Sequence, residues 1–206
     1  IILFFELVGP NFWIYAWAIV ATFTIFMNLF YSKLIVPIFN KQTPLEQGSL
    51  KNKIEGFAQN VGFELQNIFV IDGSKRSTKA NAYFSGFGRE KRVTLYDTLI
   101  NDLEEEEIVA VLAHEVGHYK KNHIIFNLTA SLVLTAATLF ILSLFINNPE
   151  VSYAIGVTNP SFHAALIGFA ILYSPISEIT GLIMNHLSRK FEYQADDYAK
   201  STYAAL

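Results

Sequence analysis

The chain is 206 residues long, which suits one ordinary domain, but 52% of its residues are apolar, only 16% are charged and 18 are phenylalanine. That balance points to membrane spans rather than a water-soluble globule. A net charge of −3, with no basic patch interleaved with aromatics, argues against a nucleic-acid partner. The absence of cysteine excludes disulfides and thiolate metal sites, so any zinc must be held by His, Asp or Glu.

In chain order, the sequence opens on Ile1-Ile2-Leu3 without a methionine and stops at Leu206 in a helical pattern, which reads as a piece of a longer protein. Residues 1–8 read as the end of an earlier span, not as a signal peptide, which would need a basic start and a small-residue cleavage site. Residues 11–32 carry no charge and match the roughly 20 residues that a bilayer-spanning helix needs. Trp13, Tyr15 and Trp17 mark one interface and Tyr31 the other, with Lys33 and Pro37 where the span would leave the membrane. From Lys41 the character turns soluble. Thr43-Pro44-Leu45-Glu46 predicts a helix start, with Leu50, Ile54, Phe57, Ala58 and Val61 at helical spacing and Gly62 as the stop. Ile68 to Ile71 reads as a short strand, residues 73–77 as a turn, and residues 81–87 and 92–96 as two further strands around Gly88-Arg89. A small antiparallel sheet is the expected result. Its edge strand either binds an extended peptide by β-augmentation or only packs the helix that follows.

That helix carries His114-Glu115-Val116-Gly117-His118. Imidazoles four residues apart project from one helix face, one turn apart, and can offer two nitrogens to one ion, with zinc the usual occupant. Glu115 lies between them, within reach of a water on that ion. Asp102 is the expected cap, with Glu105 as its reciprocal partner. Glu104 to Glu107 suit the first turn, and Lys120 and Lys121 the last.

Residues 124–146 form a second uncharged run, ended by Asn147-Asn148-Pro149-Glu150. A link with Gly156 and Pro160 leads to a third run, from Phe162 to about Leu187, with Pro175 as a kink. Glu178 interrupts it and should face a bundle interior or a water-filled cavity, with Asn185 on roughly the same face. Twelve Lys and Arg lie between Lys33 and Lys121, three follow Leu187, and none lies between Asn122 and Ser188. By the positive-inside rule the metal helix and the C-terminal end face the cytoplasm, which fits three crossings. Among the other histidines, His123 reads as a helix-end residue off the ligand face, His163 as interfacial and His186 as a packing residue.

A catalytic zinc wants three protein ligands and an open position. The metzincin pattern would need glycine at position 121 and histidine at position 124, but those positions hold Lys121 and Ile124. A carboxylate is therefore sought, and Glu192 returns to the cytoplasmic side just after the third run. Asp196, one turn further on, could accept a hydrogen bond from the second nitrogen of a ligand histidine. On residues alone Glu150, Glu178 and Asp197 remain open, as does a reading of all of these as surface carboxylates.

The chain resembles the Ste24-type CaaX prenyl proteases, integral-membrane gluzincin peptidases. The resemblance rests on Val36-Pro37-Ile38-Phe39-Asn40 with Thr43-Pro44-Leu45, on Val70-Ile71-Asp72-Gly73-Ser74-Lys75-Arg76-Ser77, on Asn81-Ala82-Tyr83-Phe84 with Gly86-Phe87-Gly88, on Leu95-Tyr96-Asp97-Thr98-Leu99, on the metal helix, and on Ser188-Arg189 through Asp196. It implies His114, His118 and Glu192 as ligands of one Zn²⁺, Glu115 as the catalytic glutamate, Asp196 behind a ligand histidine, and Asn81, Ala82 and Tyr83 lining the substrate cleft. It also implies removal of the terminal tripeptide from prenylated CaaX proteins, with further membrane helices expected on both sides of this stretch and a C-terminal histidine and arginine expected beyond Leu206. An HtpX-like quality-control protease would use the same chemistry. A non-catalytic membrane scaffold with a structural zinc would have no need of Glu115. The fold expected is a mainly α, multi-pass membrane protein with a gluzincin-like core and a small sheet. Its layout runs as a membrane segment over 1–36, a cytoplasmic-facing peptidase segment over 37–123, two membrane helices over 124–188 and the third-ligand helix over 189–206. The membrane would be a bacterial inner membrane or the endoplasmic reticulum.

Overall fold

The computed structural model describes residues 7–65, 67–75, 81–85 and 92–203, so the expected turn at Gly88-Arg89 and the matching pieces Arg76-Ser77 and Gly86-Phe87-Gly88 lie outside the described residues. Among the described residues, three helices are long and apolar enough to cross a membrane: Gly9–Phe39, His123–Ile146 and Phe162–Tyr203. Their side chains point outward in numbers no water-soluble core would tolerate, with Phe23, Val133 and Leu182 all more than half exposed. A helix satisfies its own backbone, so an apolar exterior facing lipid costs nothing in hydrogen bonds.

The chain divides into two compact units. One comprises residues 1–25 and 125–189. It contains most of helix α1 (Phe12–Phe30), which runs on through a π-type turn at Tyr31–Ile35 into the short helix Val36–Phe39. The Trp17 indole N–H donates to the Leu132 carbonyl at 2.9 Å, and Trp13 meets Phe140 edge-on at 5.2 Å. Thr138 and Tyr173 share a hydroxyl hydrogen bond of 2.7 Å. A short helix (Pro149–Ala154) is capped by the Asn148 side chain, which accepts from the Glu150 N–H. It lies against Gly168, where a Cβ would come within 2.4 Å of Val151. Pro175 sits inside the 42-residue helix Phe162–Tyr203, which continues without a break past the expected end of the span and carries Glu192 and Asp196.

The second unit, residues 26–124 and 190–206, holds the buried core. Its sheet comprises β1 (Gln42–Pro44), β2 (Asn67–Ile71), β3 (Ala82–Ser85) and β4 (Arg92–Tyr96), in the order β1-β2-β4-β3. The sheet is mixed, not antiparallel: β1 and β3 run antiparallel to their neighbours, but β2 and β4 run parallel, Asn67 opposite Arg92. The chain places β3 on the far edge, so β4 returns between β2 and β3 in the direction of β2. The expected helix start at Thr43-Pro44 is instead β1, pairing Thr43 with Val70. An edge strand tolerates Pro44, whose missing N–H would cost a ladder bond in a central position. Helix α2 then begins at Ser49 and ends at Asn60, with Gly62 in the left-handed conformation at φ 62°.

After β4 the chain forms a short helix α3 (Asp97–Asp102), so Asp102 is not the cap of the metal helix. Leu103 is extended, and α4 (Glu105–Lys120) starts with Glu104 as its cap. The Glu107 carboxylate accepts from the Glu104 N–H at 2.9 Å, closing a capping box two residues later than expected. Ile108, Leu112 and Val116 of α4 are buried against Ile54 and Phe57 of α2 and Val93 and Leu95 of β4. β3 lies alongside α4. At the start of α4, Lys53 of α2 pairs with Glu105 at 2.7 Å and Glu106 at 2.6 Å.

Candidate metal centre

With Leu112, Ala113, Val116 and Gly117 committed to the core, the opposite face of α4 carries His114 and His118 partly exposed. Glu192 reaches them from the helix Phe162–Tyr203, designated α7 with His123–Ile146 as α5 and Pro149–Ala154 as α6. Its Oε2 lies 3.3 Å from His114 Nε2 and 3.7 Å from His118 Nε2, and the two Nε2 atoms are 3.0 Å apart. A tetrahedral zinc 2.0–2.1 Å from its ligands needs ligand atoms about 3.3 Å apart, so these three could hold one ion. Two neutral-capable imidazoles and one carboxylate are also the donor types that zinc accepts. Among the described residues this is the set of His, Asp and Glu that gathers around one point, and Glu150, Glu178 and Asp197 are not part of it.

The approach that brings Glu192 in depends on Gly117. A Cβ there would lie 3.0 Å from the Ala195 Cα, 3.1 Å from its carbonyl oxygen and 3.2 Å from Tyr198 Cβ. Ala195 is fully buried at this contact. Small residues on both helices let the backbones come close, one turn from the two groups that must meet. Asp196 Oδ1 accepts from His114 Nδ1 at 2.7 Å, which leaves His114 Nε2 as the lone-pair nitrogen.

His123 is a helix-end residue outside the ligand group, as expected, but it begins the next helix instead of ending α4. Helix α4 stops at Lys120, and Asn122 adopts a left-handed φ of 58° that turns the chain back. His123 therefore opens α5 and faces His118, with the two Nδ1 atoms 3.0 Å apart. It is 3% exposed, stacks on Phe191 at 4.2 Å and 13°, and its Nε2 lies 2.9 Å from Gln194 Oε1. Sequence reasoning missed His123, Gln194 and the role of Gly117. The available signal was Asn122, a residue type that tolerates the left-handed turn, directly after the last lysines of the helix.

Glu115 is partly buried, and burial pushes its carboxyl above the ordinary value. The Glu192 charge adds to that shift and His114 opposes it. Burial likewise pushes the His118 imidazole down, against the attraction of Glu192, toward the neutral form that binds metal. On the sheet, the Asn81 carbonyl accepts from the Tyr96 N–H at 3.0 Å, Ala82 is buried opposite Leu95, and Tyr83 pairs with Thr94. β3 is an edge strand, paired on one side with β4.

Residues 44–206 match the family model of peptidase family M48. The chain belongs to peptidase family M48. Residues 1–41 match the model described as the CAAX prenyl protease N-terminal region with five membrane helices. The M48 chain is 41% identical over 196 residues to a CAAX prenyl protease 1 homolog of Dictyostelium discoideum, covering 93% of this chain and 46% of that protein. It is 43% identical over 183 residues to CAAX prenyl protease 1 of Saccharomyces cerevisiae, covering 81% and 40%. The crystal structure of S. mikatae Ste24p matches with a TM-score of 0.83 at 36% identity, over 97% of this chain and 50% of that one. The chain thus spans about half the length of the curated relatives it matches. The chain is an integral membrane protein, and M48 membership implies a bound metal.

Proposed function

We propose that this chain forms the metal-binding part of an integral-membrane zinc endopeptidase that removes the C-terminal tripeptide of prenylated CaaX proteins. The observation that carries the reading is the convergence of His114 Nε2, His118 Nε2 and Glu192 Oε2 to within 3.0–3.7 Å, with Glu115 next to His114 on the same helix. A zinc ion held there would polarise the scissile carbonyl and lower the pKa of water toward neutrality.

Glu115 then takes a proton from the attacking water as the new carbon–oxygen bond forms, and passes it to the amine as the carbon–nitrogen bond breaks. Burial raises the affinity of this carboxyl for a proton, and a bound zinc would oppose that shift. Asp196 holds the His114 ring through Nδ1. The edge of β3, with Asn81, Ala82 and Tyr83, would take the substrate backbone in extended form. A lipid-tailed substrate suits a site built on helices that cross the bilayer, since the tail can enter from the membrane while the peptide reaches the metal. The lysine and arginine count supports a cytoplasmic active site. The names of the relatives favour CaaX processing over general quality control.

The test is Glu115→Gln in the full-length protein, assayed on a farnesylated CaaX peptide with mass spectrometry of the products and elemental analysis of the metal. Turnover should fall about 10²–10⁴-fold while zinc is retained. Tripeptide release at the wild-type rate would overturn the assignment.

A further inference from the structure

We propose that His123 and Gln194 are positioning residues that lock His118 in the tautomer presenting Nε2 to the metal. The inference rests on the metal reading above. It follows from where each proton can sit.

His118 Nε2 faces His114 Nε2 and Glu192 Oε2, so a ligand role requires its lone pair there and its proton on Nδ1. That Nδ1–H points at His123 Nδ1, 3.0 Å away, which must therefore accept. An imidazole that accepts at Nδ1 carries its proton on Nε2, and His123 Nε2 lies 2.9 Å from the Gln194 carbonyl oxygen, a pure acceptor. Each ring nitrogen of His118 and His123, and the Gln194 amide oxygen, then has one role, and no donor meets a donor. The opposite proton order would place an N–H on His118 Nε2, pointing into the metal position.

Burial strengthens the device. His123 is 3% exposed and clamped against Phe191, so water competes weakly for either of its nitrogens. The two ligand histidines are thus held differently. His114 leans on a charged carboxylate, Asp196, while His118 leans on a neutral, buried relay. Helix α7 supplies a ligand at Glu192, the end of the relay at Gln194 and the carboxylate at Asp196. One helix therefore orients both histidines that α4 presents.

The experiment uses the full-length protein in detergent, stripped of metal and titrated with Zn²⁺ against a competing chelator. His123→Phe keeps the ring and its stacking but removes the acceptor, while His123→Asn offers an amide oxygen near the place of Nδ1. Gln194→Leu removes the terminal acceptor. His123→Phe should weaken zinc binding about 10–100-fold and perturb the visible spectrum of the Co²⁺-substituted protein, with the metal-free melting temperature retained. His123→Asn should recover most of that affinity, and Gln194→Leu should lose some of it. Wild-type zinc affinity in a folded His123→Phe protein would overturn the proposal. If His123→Phe does not fold, Gln194→Leu decides: lost affinity supports the relay and wild-type affinity overturns it. Failure of the wild-type protein to bind zinc at all would remove the metal reading itself, and the relay with it, which is a distinguishable result.

Discussion

Two glycine-to-alanine changes on helices of the same unit should have opposite signs. Gly56 lies within α2 and a Cβ there meets nothing within 4 Å, so Gly56→Ala should follow helix propensity alone and stabilise by about 0.8–1 kcal/mol. Gly117→Ala gains the same propensity but places its methyl 3.0–3.2 Å from Ala195 Cα, the Ala195 carbonyl and Tyr198 Cβ. Carbon contacts are comfortable at roughly 3.5–4.0 Å, so α7 must retreat by about half an ångström. Two of the three crowding atoms are backbone and cannot rotate away. Overpacking of this kind costs about 1–3 kcal/mol, which cancels or exceeds the propensity gain. Glu192 lies on the retreating helix within one turn of Ala195, so its oxygen moves relative to His114 and His118. Melting temperatures in detergent and zinc competition on the full-length protein measure both effects. Gly56→Ala should raise the melting temperature with zinc affinity unchanged. Gly117→Ala should leave it level or lower, with weakened zinc binding. If Gly117→Ala stabilised as much as Gly56→Ala and bound zinc like wild type, the close approach of α4 and α7 would not be what positions Glu192.

Asp196→Asn should weaken zinc binding by about tenfold or more, because a neutral amide holds the His114 Nδ1–H less firmly than a carboxylate 2.7 Å away; equal affinity by chelator competition would count against it. Asp97 is held below its ordinary value, first by the Ser74 hydroxyl and then by the backbone N–H groups of Ser74 and Thr98. Its folded pKa is therefore the lower one, so its contribution is present above 3.8 and disappears as pH falls through the folded value. Because the carboxylate is solvent-exposed, Asp97→Asn should cost less than about 1 kcal/mol at neutral pH and nothing in acid; a pH series of melting temperatures on metal-free protein checks the convergence. Thr138→Val removes the 2.7 Å partner of the Tyr173 hydroxyl and should destabilise by about 0.6 kcal/mol, the typical value between membrane helices. An unfolding titration showing no loss would mean that the hydroxyl pair contributes nothing.

Much of the architecture was legible because it is written locally. Charge-free runs near the length of a bilayer were read at 11–32, 124–146 and from Phe162, and helices stand at all three. What misled was local signal with a tertiary competitor. Thr43-Pro44 carries the grammar of a helix start, but pairing with Val70 and Phe69 at the sheet edge wins. Asp102 and Glu105 have capping-box spacing, and so do Glu104 and Glu107. The short helix α3 consumes Asp102 and hands the role to the second pair. The sheet was expected to be antiparallel. Which strand inserts between which is a matter of packing, and it made the central pair parallel.

By itself the sequence determined that His114 and His118 share a face, since four residues are one helical turn whatever surrounds them. It determined, too, that long stretches of the chain cannot be left in water. Only the tertiary structure decided which carboxylate meets those imidazoles, and that His123 turns back to stand behind one of them. Helical periodicity is a property of neighbours along the backbone. The meeting of Asp196 with His114, 82 residues away, depends on α4 and α7 packing close enough at Gly117 and Ala195 to bring it about.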